Sequence, residues 1–591
     1  MNAILLIIDS LDYTRCQSSA AELLPNIKKR AQKSYSAENM YSQSPYTEAA
    51  TIALYCGQNT LDNHGYIERF NNAEYTLFEV LKAAGYETFF NTLQPQCYPS
   101  SLRRGIDNIR YNRGFDNPAL WAYRFEYYTQ KYKDGKFNEI DFIQLCRILK
   151  DNFVEWIRFL DDLIIDDKSV CLIKKLNNQY NAQDVKKLVQ EEKLKFEADN
   201  RKYILDIFAN GENHNLFKIS FFDQIDYELS GEAKDFYNKE IGDFVKRIRI
   251  KNFFQNLIFN HDIFPAYLDA IKCKLKGDKK GYIQRSLIIR NALLMNNNNK
   301  KYGEMCHSLK GQPSINEHIK SFIEWLDERK SDRPYFATIH VDDIHYPEMF
   351  FSYESNDVGL LSEELKTAYN CMKNRRCNDK GTISLDLSLR YVDLKCEQFI
   401  SELEKRGKLE DTVIFVTADH GFSYSGFPIR DRFVNSFYLE NFKIPFFIYG
   451  SKVEPGTDLH LRSSLDIPAT ICQVLGIDAP ESFVGESVIS AGDDDRVLTI
   501  EYCGGGCPDI NDKALMIAAF DNEYMVAGLF KLRNGYDSSS VTEIYNLKTD
   551  PLQRKNLKGK IDINKLRKYT DVIESRLEKI SDTNQAILKT F

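Results

Sequence analysis

The sequence is poor in tryptophan (three residues) and histidine (nine), and it has no excess of basic charge. Its 78 lysines and arginines face 85 aspartates and glutamates, for a net charge of −7 over 591 residues. A general nucleic-acid or anionic-membrane binder needs the opposite balance, so neither partner is expected. A local cationic pocket for an anionic substrate remains compatible with it. No apolar run approaches the roughly 20 residues that span a bilayer. The apolar start Ile4–Ile8 meets Asp9, Ser10 and Asp12 at once, and it carries neither the basic flank nor the length of a secretory leader. A cytoplasmic location is therefore expected. The 13 cysteines are odd in number and scattered, which in a reducing compartment reads as free thiols.

What is present is an ordinary globular mixture, 43% hydrophobic and 28% charged, too long for one core. The chain divides by texture into an α/β part over 1–137, a mostly helical insertion over 138–312, a second α/β part over 313–494 and a small α+β subdomain over 495–591. Ala3–Ile8, Tyr335–Val341 and Thr412–Thr417 are continuous apolar runs, as in strands buried on both faces of a parallel sheet. Further strands are expected at Tyr86–Phe90, Phe446–Tyr449, Val497–Ile500 and Met525–Ala527, with helices over Thr47–Tyr55, Leu77–Ala84, Leu389–Leu403 and about 564–580. In the insertion, Phe236, Ile241, Phe244, Val245 and Ile248 share one helical face, and Asn296–Asn299 reads as a solvated loop. The insertion is either a surface elaboration or a lid that selects substrates. The fold expected is a doubly wound, mostly parallel sheet with helices on both faces.

Three of the buried strands end in residues able to hold a metal: Asp9, Asp342-Asp343 and Asp419-His420. Ligands of open α/β sheets sit at the carboxyl ends of the strands, where carboxylate and imidazole together suit a divalent cation. A lone aspartate there also serves as a turn or helix cap. Thr47 falls at a helix start, where unpaired N–H groups and the helix dipole favour an anion. On spacing alone its hydroxyl reads as a helix cap. Cys503-Gly504-Gly505-Gly506-Cys507 reads as a glycine-rich loop rather than a metal pair, and His64 as structural.

The order of these segments resembles the sulfatase branch of the alkaline phosphatase superfamily. Ile4-Leu5-Leu6-Ile7-Ile8-Asp9 resembles its first strand and first metal aspartate. Ser44-Pro45-Tyr46-Thr47-Glu48-Ala49-Ala50-Thr51 resembles its nucleophile helix, with Thr47 in the nucleophile place and His64-Gly65 following. Leu81–Thr88 is similar to its next helix and strand, and His340-Val341-Asp342-Asp343-Ile344-His345-Tyr346-Pro347 to its substrate-contacting segment. Thr412–Gly421 is similar to its second metal segment, Leu465–Thr470 to its late core helix, and Glu543–Pro551 with Asn556-Leu557 to its C-terminal subdomain.

The resemblance implies an enzyme with one divalent ion (Ca, Mn, Zn or Mg) on Asp9, Thr47, Asp419 and His420. It also implies that His345 binds the substrate or assists the leaving group. The family's cationic residue after the second metal segment falls on Arg430 or Arg432, which would steady the transferred group's oxygens. The substrate implied is a small or glycan-linked anionic ester. Sulfatases carry cysteine or serine in the nucleophile place, followed by a proline and an arginine, and the side chain is oxidised to formylglycine. Here the positions hold Thr47, Ala49 and Thr51, and threonine cannot form that aldehyde. The expected chemistry is therefore phosphoester cleavage or transfer (mono-, diester or phosphonate) through Thr47. Sulfate-ester hydrolysis and an inactive binding member of the family are the alternatives. Ser10 stands where sulfatases carry a second aspartate, with Asp12 a possible substitute.

Overall fold

A computed structural model of the chain describes residues 1–11, 13, 24–92, 104–111, 128–129, 132–133, 135, 137–165, 182–219, 271–272, 274–277, 315–341, 343–344, 383–421, 437–450, 452–503, 510 and 515–585. The helical face expected over Phe236–Ile248, the loop Asn296–Asn299 and most of the glycine-rich loop 503–507 lie outside them.

The described strands are β1 (Asn2–Ile8), β2 (Tyr35–Tyr41), β3 (Glu87–Thr92), β4 (Asn108–Tyr111), β5 (Tyr335–Val341), β6 (Thr412–Thr417), β7 (Lys443–Ile444), β8 (Phe446–Tyr449), β9 (Gly456–Ser463), β10 (Leu498–Cys503), β11 (Leu515–Phe520), β12 (Tyr524–Phe530) and β13 (Val541–Asn546). The helices are α1 (Pro25–Ala31), α2 (Thr47–Cys56), α3 (Gly65–Asn72), α4 (Leu77–Ala83), α5 (Glu139–Ile165), α6 (Ala182–Ala198), α7 (Asn200–Asn210), α8 (Asn215–Lys218), α9 (Ile315–Glu328), α10 (Ile383–Lys405), α11 (Asp466–Leu475) and α12 (Arg567–Thr583).

The first nine strands form one sheet in the order β4-β3-β5-β1-β6-β8-β2-β7, with β9 paired to β2. From β4 to β6 the pairing is parallel, and β8 joins β6 antiparallel. Alternation within each strand sends successive side chains to opposite faces. Tyr335 meets Phe322 and Trp325 of α9, whereas Phe336 meets Phe78 of α4. Phe89 likewise packs on Phe322 and Trp325, and Phe90 on Tyr55 of α2. Helices therefore cover both faces, which is why β1, β5 and β6 read as unbroken apolar runs.

Within 139–218 the chain forms α5 to α8, and Phe153, Trp156, Val189 and Ile204 there pack in one hydrophobic cluster with Tyr128. The strands β10 to β13 form a separate antiparallel sheet. One face packs on α12 together with Ala49, Leu61 and Tyr66 from the first segment of the chain. The other packs on Phe437, Phe442 and Leu461. An antiparallel sheet commonly leaves one face to solvent, but burial on both faces accounts for the fully apolar β11, Leu-Met-Ile-Ala-Ala-Phe. No helix among the described residues is long and apolar enough to cross a membrane.

The helix α11 packs against α2 and is fixed at its start by Asp466. That carboxylate is fully buried, accepts from the Ser463 and Glu486 amides at 2.8 Å each, and holds Arg496 in a two-point pair at 2.7 and 2.8 Å. Removing one partner of a buried pair leaves the other charge uncompensated. Asp466→Ala is expected to cost about 3–5 kcal/mol, read as a lowered urea midpoint.

Candidate active site

The sheet register assembles the site. The central strand β1 lies between β5 and β6, with Ile7 level with His340 on one side and with Thr417 on the other. Asp9 and Asp419 therefore emerge at the same sheet edge, two residues beyond that level, beside His340. All three are buried, and their ligand atoms lie within 4.8 Å of one another. Ser10, which follows Asp9, is held at φ 63° in the left-handed region that non-glycine residues seldom adopt. Its amide donates to Asp419 Oδ1 at 3.2 Å and its hydroxyl to Asp9 Oδ1 at 2.8 Å. A strained residue thus braces two carboxylates whose charges repel.

The helix α2 brings Thr47 to this edge. The N-cap is Tyr46, with extended backbone and no side-chain cap, so Thr47 is the first helical residue rather than the cap expected. Relieved of capping, its hydroxyl donates to Asp9 Oδ2 at 3.2 Å. The first amides of α2 lack intrahelical partners, and they present partial positive charge to an anion there. At its far end the helix closes on Gly57, whose φ of 57° suits glycine and where a Cβ would press on Phe483 at 2.9 Å.

His420 completes the ring. Its amide donates to Asp419 Oδ1 at 2.8 Å, and its Nδ1 lies 2.7 Å from the carbonyl of Gly421. A carbonyl only accepts, so this contact puts the ring proton on Nδ1 and leaves the Nε2 lone pair facing the carboxylates. That nitrogen lies 3.6 Å from both Asp9 Oδ1 and Asp419 Oδ2. His340 Nε2 lies 3.7 Å from Asp9 Oδ2 and 3.9 Å from Asp419 Oδ2. Burial pushes the His340 imidazole down to about 4, against the pull of Asp419, so it is neutral at pH 7. Burial also opposes ionisation of Asp419, but the neighbouring His420 and His340, the Thr47 hydroxyl and the Ser10 amide outweigh it and hold its pKa below the ordinary value.

These spacings are too long for hydrogen bonds. Asp419 Oδ2, fully buried, accepts none among the described residues. Ligands bonded at about 2.0–2.6 Å around one centre stand about 3–4 Å apart, so the donor set fits a divalent cation. Asp9, Asp419 and His340 form the buried group that could hold it, with His420 and the Thr47 hydroxyl beside them.

Asp9, Thr47, Asp419 and His420, picked out in the sequence, are brought together. His345, Arg430, Arg432 and Asp342 lie outside the described residues, as does Asp12. Asp343 serves elsewhere: its Oδ2 accepts from the Ile315 amide at 2.9 Å, at the start of α9, in the capping role weighed against metal ligation. The residue missed was His340. Its signal was a histidine inside an otherwise apolar run, one residue before the strand's end, where period-two alternation does not place a solvated side chain. Behind it, His318 of α9 has Nδ1 2.7 Å from Asn91 Oδ1, and burial pushes its imidazole down to about 3.

The Sulfatase family model matches residues 1–191 and 258–477, well over half of the chain. Human N-acetylglucosamine-6-sulfatase is 28% identical over 205 residues, covering 30% of this chain and 37% of the human protein. The match thus spans little more than a third of that relative's length. Lipoteichoic acid synthase 1 of Bacillus subtilis (strain 168) is 23% identical over 331 residues, covering 50% of this chain and 47% of the synthase. Among solved structures, the phosphonate monoester hydrolase of Silicibacter pomeroyi superposes with a TM-score of 0.49 at 11% identity, covering all of this chain and 96% of that one.

Two predictions follow from the site's burial and ligand spacing. His318 and His340 take up protons more readily in the unfolded chain, near the ordinary value of 6.5, than in the fold. Their contribution to stability is present above that pH and is lost as pH falls from about 6.5 toward 4 and below. In the chelated protein, His318→Gln should flatten that acid loss by on the order of 1 kcal/mol per pH unit, measured by urea midpoints at pH 7, 5.5 and 4.5. Asp343→Asn should keep the bound metal, whereas Asp419→Ala should lose it, by elemental analysis of the folded variants.

Proposed function

Because this chain belongs to the sulfatase family, an enzyme family acting on phosphate or sulfate esters, we propose that it cleaves or transfers a phosphoester through Thr47. The observation that carries this reading is the Thr47 hydroxyl on Asp9 Oδ2, at the first turn of α2 and beside the cation-binding donor set. Threonine cannot supply the aldehyde of sulfatases, but its hydroxyl can attack phosphorus directly. Lipoteichoic acid synthase 1 bears a name tied to a phosphorus-containing polymer, and the name of the human relative points to a sulfated sugar. The side chain at position 47 favours phosphorus.

In this reading a divalent cation, when bound, offsets charge on the attacking and equatorial oxygens. The chain's own groups do the rest. The α2 amides face the anionic oxygens, and Asp9 Oδ2 is placed to take the Thr47 proton. Thr47 Oγ forms a bond to phosphorus as the bond to the leaving oxygen breaks, and that oxygen departs with a proton from His345. Water, or an acceptor hydroxyl in a transferase, then attacks phosphorus and gives its proton to His345. The Thr47 Oγ–P bond breaks and Thr47 regains its proton. Ser10 holds Asp9 and Asp419 in register through both steps. We assign His345 to the leaving group, and Arg430 or Arg432 to the equatorial oxygens. We assign the 138–312 segment to tuning the substrate, a small or glycan-linked anionic ester.

The test is a panel of aryl phosphomonoester, phosphodiester, phosphonate and sulfate substrates with the metal-loaded protein. Phosphorus esters should turn over faster than the sulfate, and Thr47→Ala should lower the rate by about three orders of magnitude or more. Near-normal turnover by Thr47→Ala, or a dominant sulfatase rate, would contradict the reading.

A further inference from the structure

The segment carrying Thr47 is not held by the main sheet alone. Glu501, on β10 of the small sheet, bonds to both sides of it. Its amide donates to the Gln43 carbonyl at 3.0 Å, and its carbonyl accepts from the Ser44 hydroxyl at 3.1 Å, just ahead of α2. Its carboxylate, fully buried, accepts from the Leu61 amide at 3.0 Å, just beyond α2. Arg576 of α12 fixes that carboxylate from Nε and Nη2 at 2.9 and 3.0 Å, and also donates to Asp62 at 2.7 Å.

A second bracket stands beside it. Asn63 and His64 have φ of 52° and 75°, a left-handed pair of non-glycine residues that persists only where the surroundings over-determine it. Asn584, fully buried at the end of α12, accepts from the His64 amide at 2.8 Å and donates to the Leu61 carbonyl at 3.0 Å. The clamped loop reaches back to the helix, for the Thr60 hydroxyl donates to the carbonyl of Ala49, two residues after Thr47, at 3.0 Å. Tyr46, immediately before Thr47, donates to Tyr66, which accepts from the Cys503 amide at 2.6 Å.

We infer that Glu501, Arg576 and Asn584 are positioning residues for the nucleophile: the C-terminal subdomain sets the pose of α2, and hence of the Thr47 hydroxyl on Asp9. The alternative role for such a cluster is to join two layers of the fold without bearing on the reaction. The geometry favours positioning, because the bonds converge on the two flanks of one helix and on the strained loop tied to its first turn. A misplacement of about 1 Å in a reacting group lowers the rate roughly hundredfold while leaving substrate binding largely intact. The inference rests on Thr47 as nucleophile.

The test compares Asn584→Ala, which keeps the buried ion pair, with the double variant Glu501→Gln/Arg576→Met, which removes both charges together. Each is assayed as full-length, metal-loaded protein on an aryl phosphodiester, beside Thr47→Ala. Hydrogen exchange is followed over residues 44–66 and over β1. The expected result is a kcat lower by roughly tenfold to hundredfold, with KM and bound metal within about twofold of wild type. Faster exchange should be confined to residues 44–66. If the double variant does not fold, Asn584→Ala alone decides. Wild-type kcat in a folded Asn584→Ala, beside an inactive Thr47→Ala, would overturn the positioning role and leave the nucleophile standing. So would a kcat that falls only in step with lost metal. Turnover by Thr47→Ala would overturn the nucleophile itself, and the inference with it.

Discussion

Two buried carboxylates and two imidazoles converge on one point at the edge of a parallel sheet, and this electrostatic burden shapes everything around it. Asp9 and Asp419 repel, and His420 is locked by the Gly421 carbonyl into the tautomer that adds a lone pair to the crowd. Burying unpaired charge in a medium of low dielectric costs several kcal/mol per ion. Such an arrangement is stable when a cation shares the charge. The strained Ser10, the hydroxyl of Thr47, the His420 amide and the first amides of α2 are among the donors the chain itself supplies toward that charge.

The fold serves this point economically. The strands β1, β5 and β6 are adjacent, parallel and covered on both faces, so their ends hold Asp9, His340 and Asp419 on a rigid edge. The segment with Thr47 comes instead from a helix wedged between the main sheet and the small C-terminal sheet, with Ala49 in the core of the latter. One wall of the site is therefore set by sheet register and the other by packing between two units remote in sequence.

The rigid wall was legible in the sequence. Apolar runs ending in Asp9 and in Asp419-His420 mark both the strand and the edge, because the ends of adjacent strands buried on both faces bring such residues to one place. The helix around Thr47 was legible too, although its cap was misplaced by one residue, since capping by a threonine and the exposure of a first-turn hydroxyl look alike in sequence. His340 was legible only as a histidine out of place in an apolar strand, since its neighbours are fixed by register across strands more than 300 residues apart. Asp343 shows the converse. An aspartate after a strand caps a helix as readily as it binds a metal, and only its bond to Ile315 decides. The ties from Glu501, Arg576 and Asn584 carry no local pattern, for they join positions more than 400 residues apart.

The central claim is that Thr47 attacks the ester at a site built by these strand ends. Acid quenching of the metal-loaded protein during turnover of an aryl phosphodiester, followed by peptide mass spectrometry, tests it directly. The account predicts a phosphoryl-ester adduct on the peptide containing Thr47, absent when metal is chelated. Multiple turnovers with no adduct at Thr47 under any quench time, or an adduct on another residue, would contradict it.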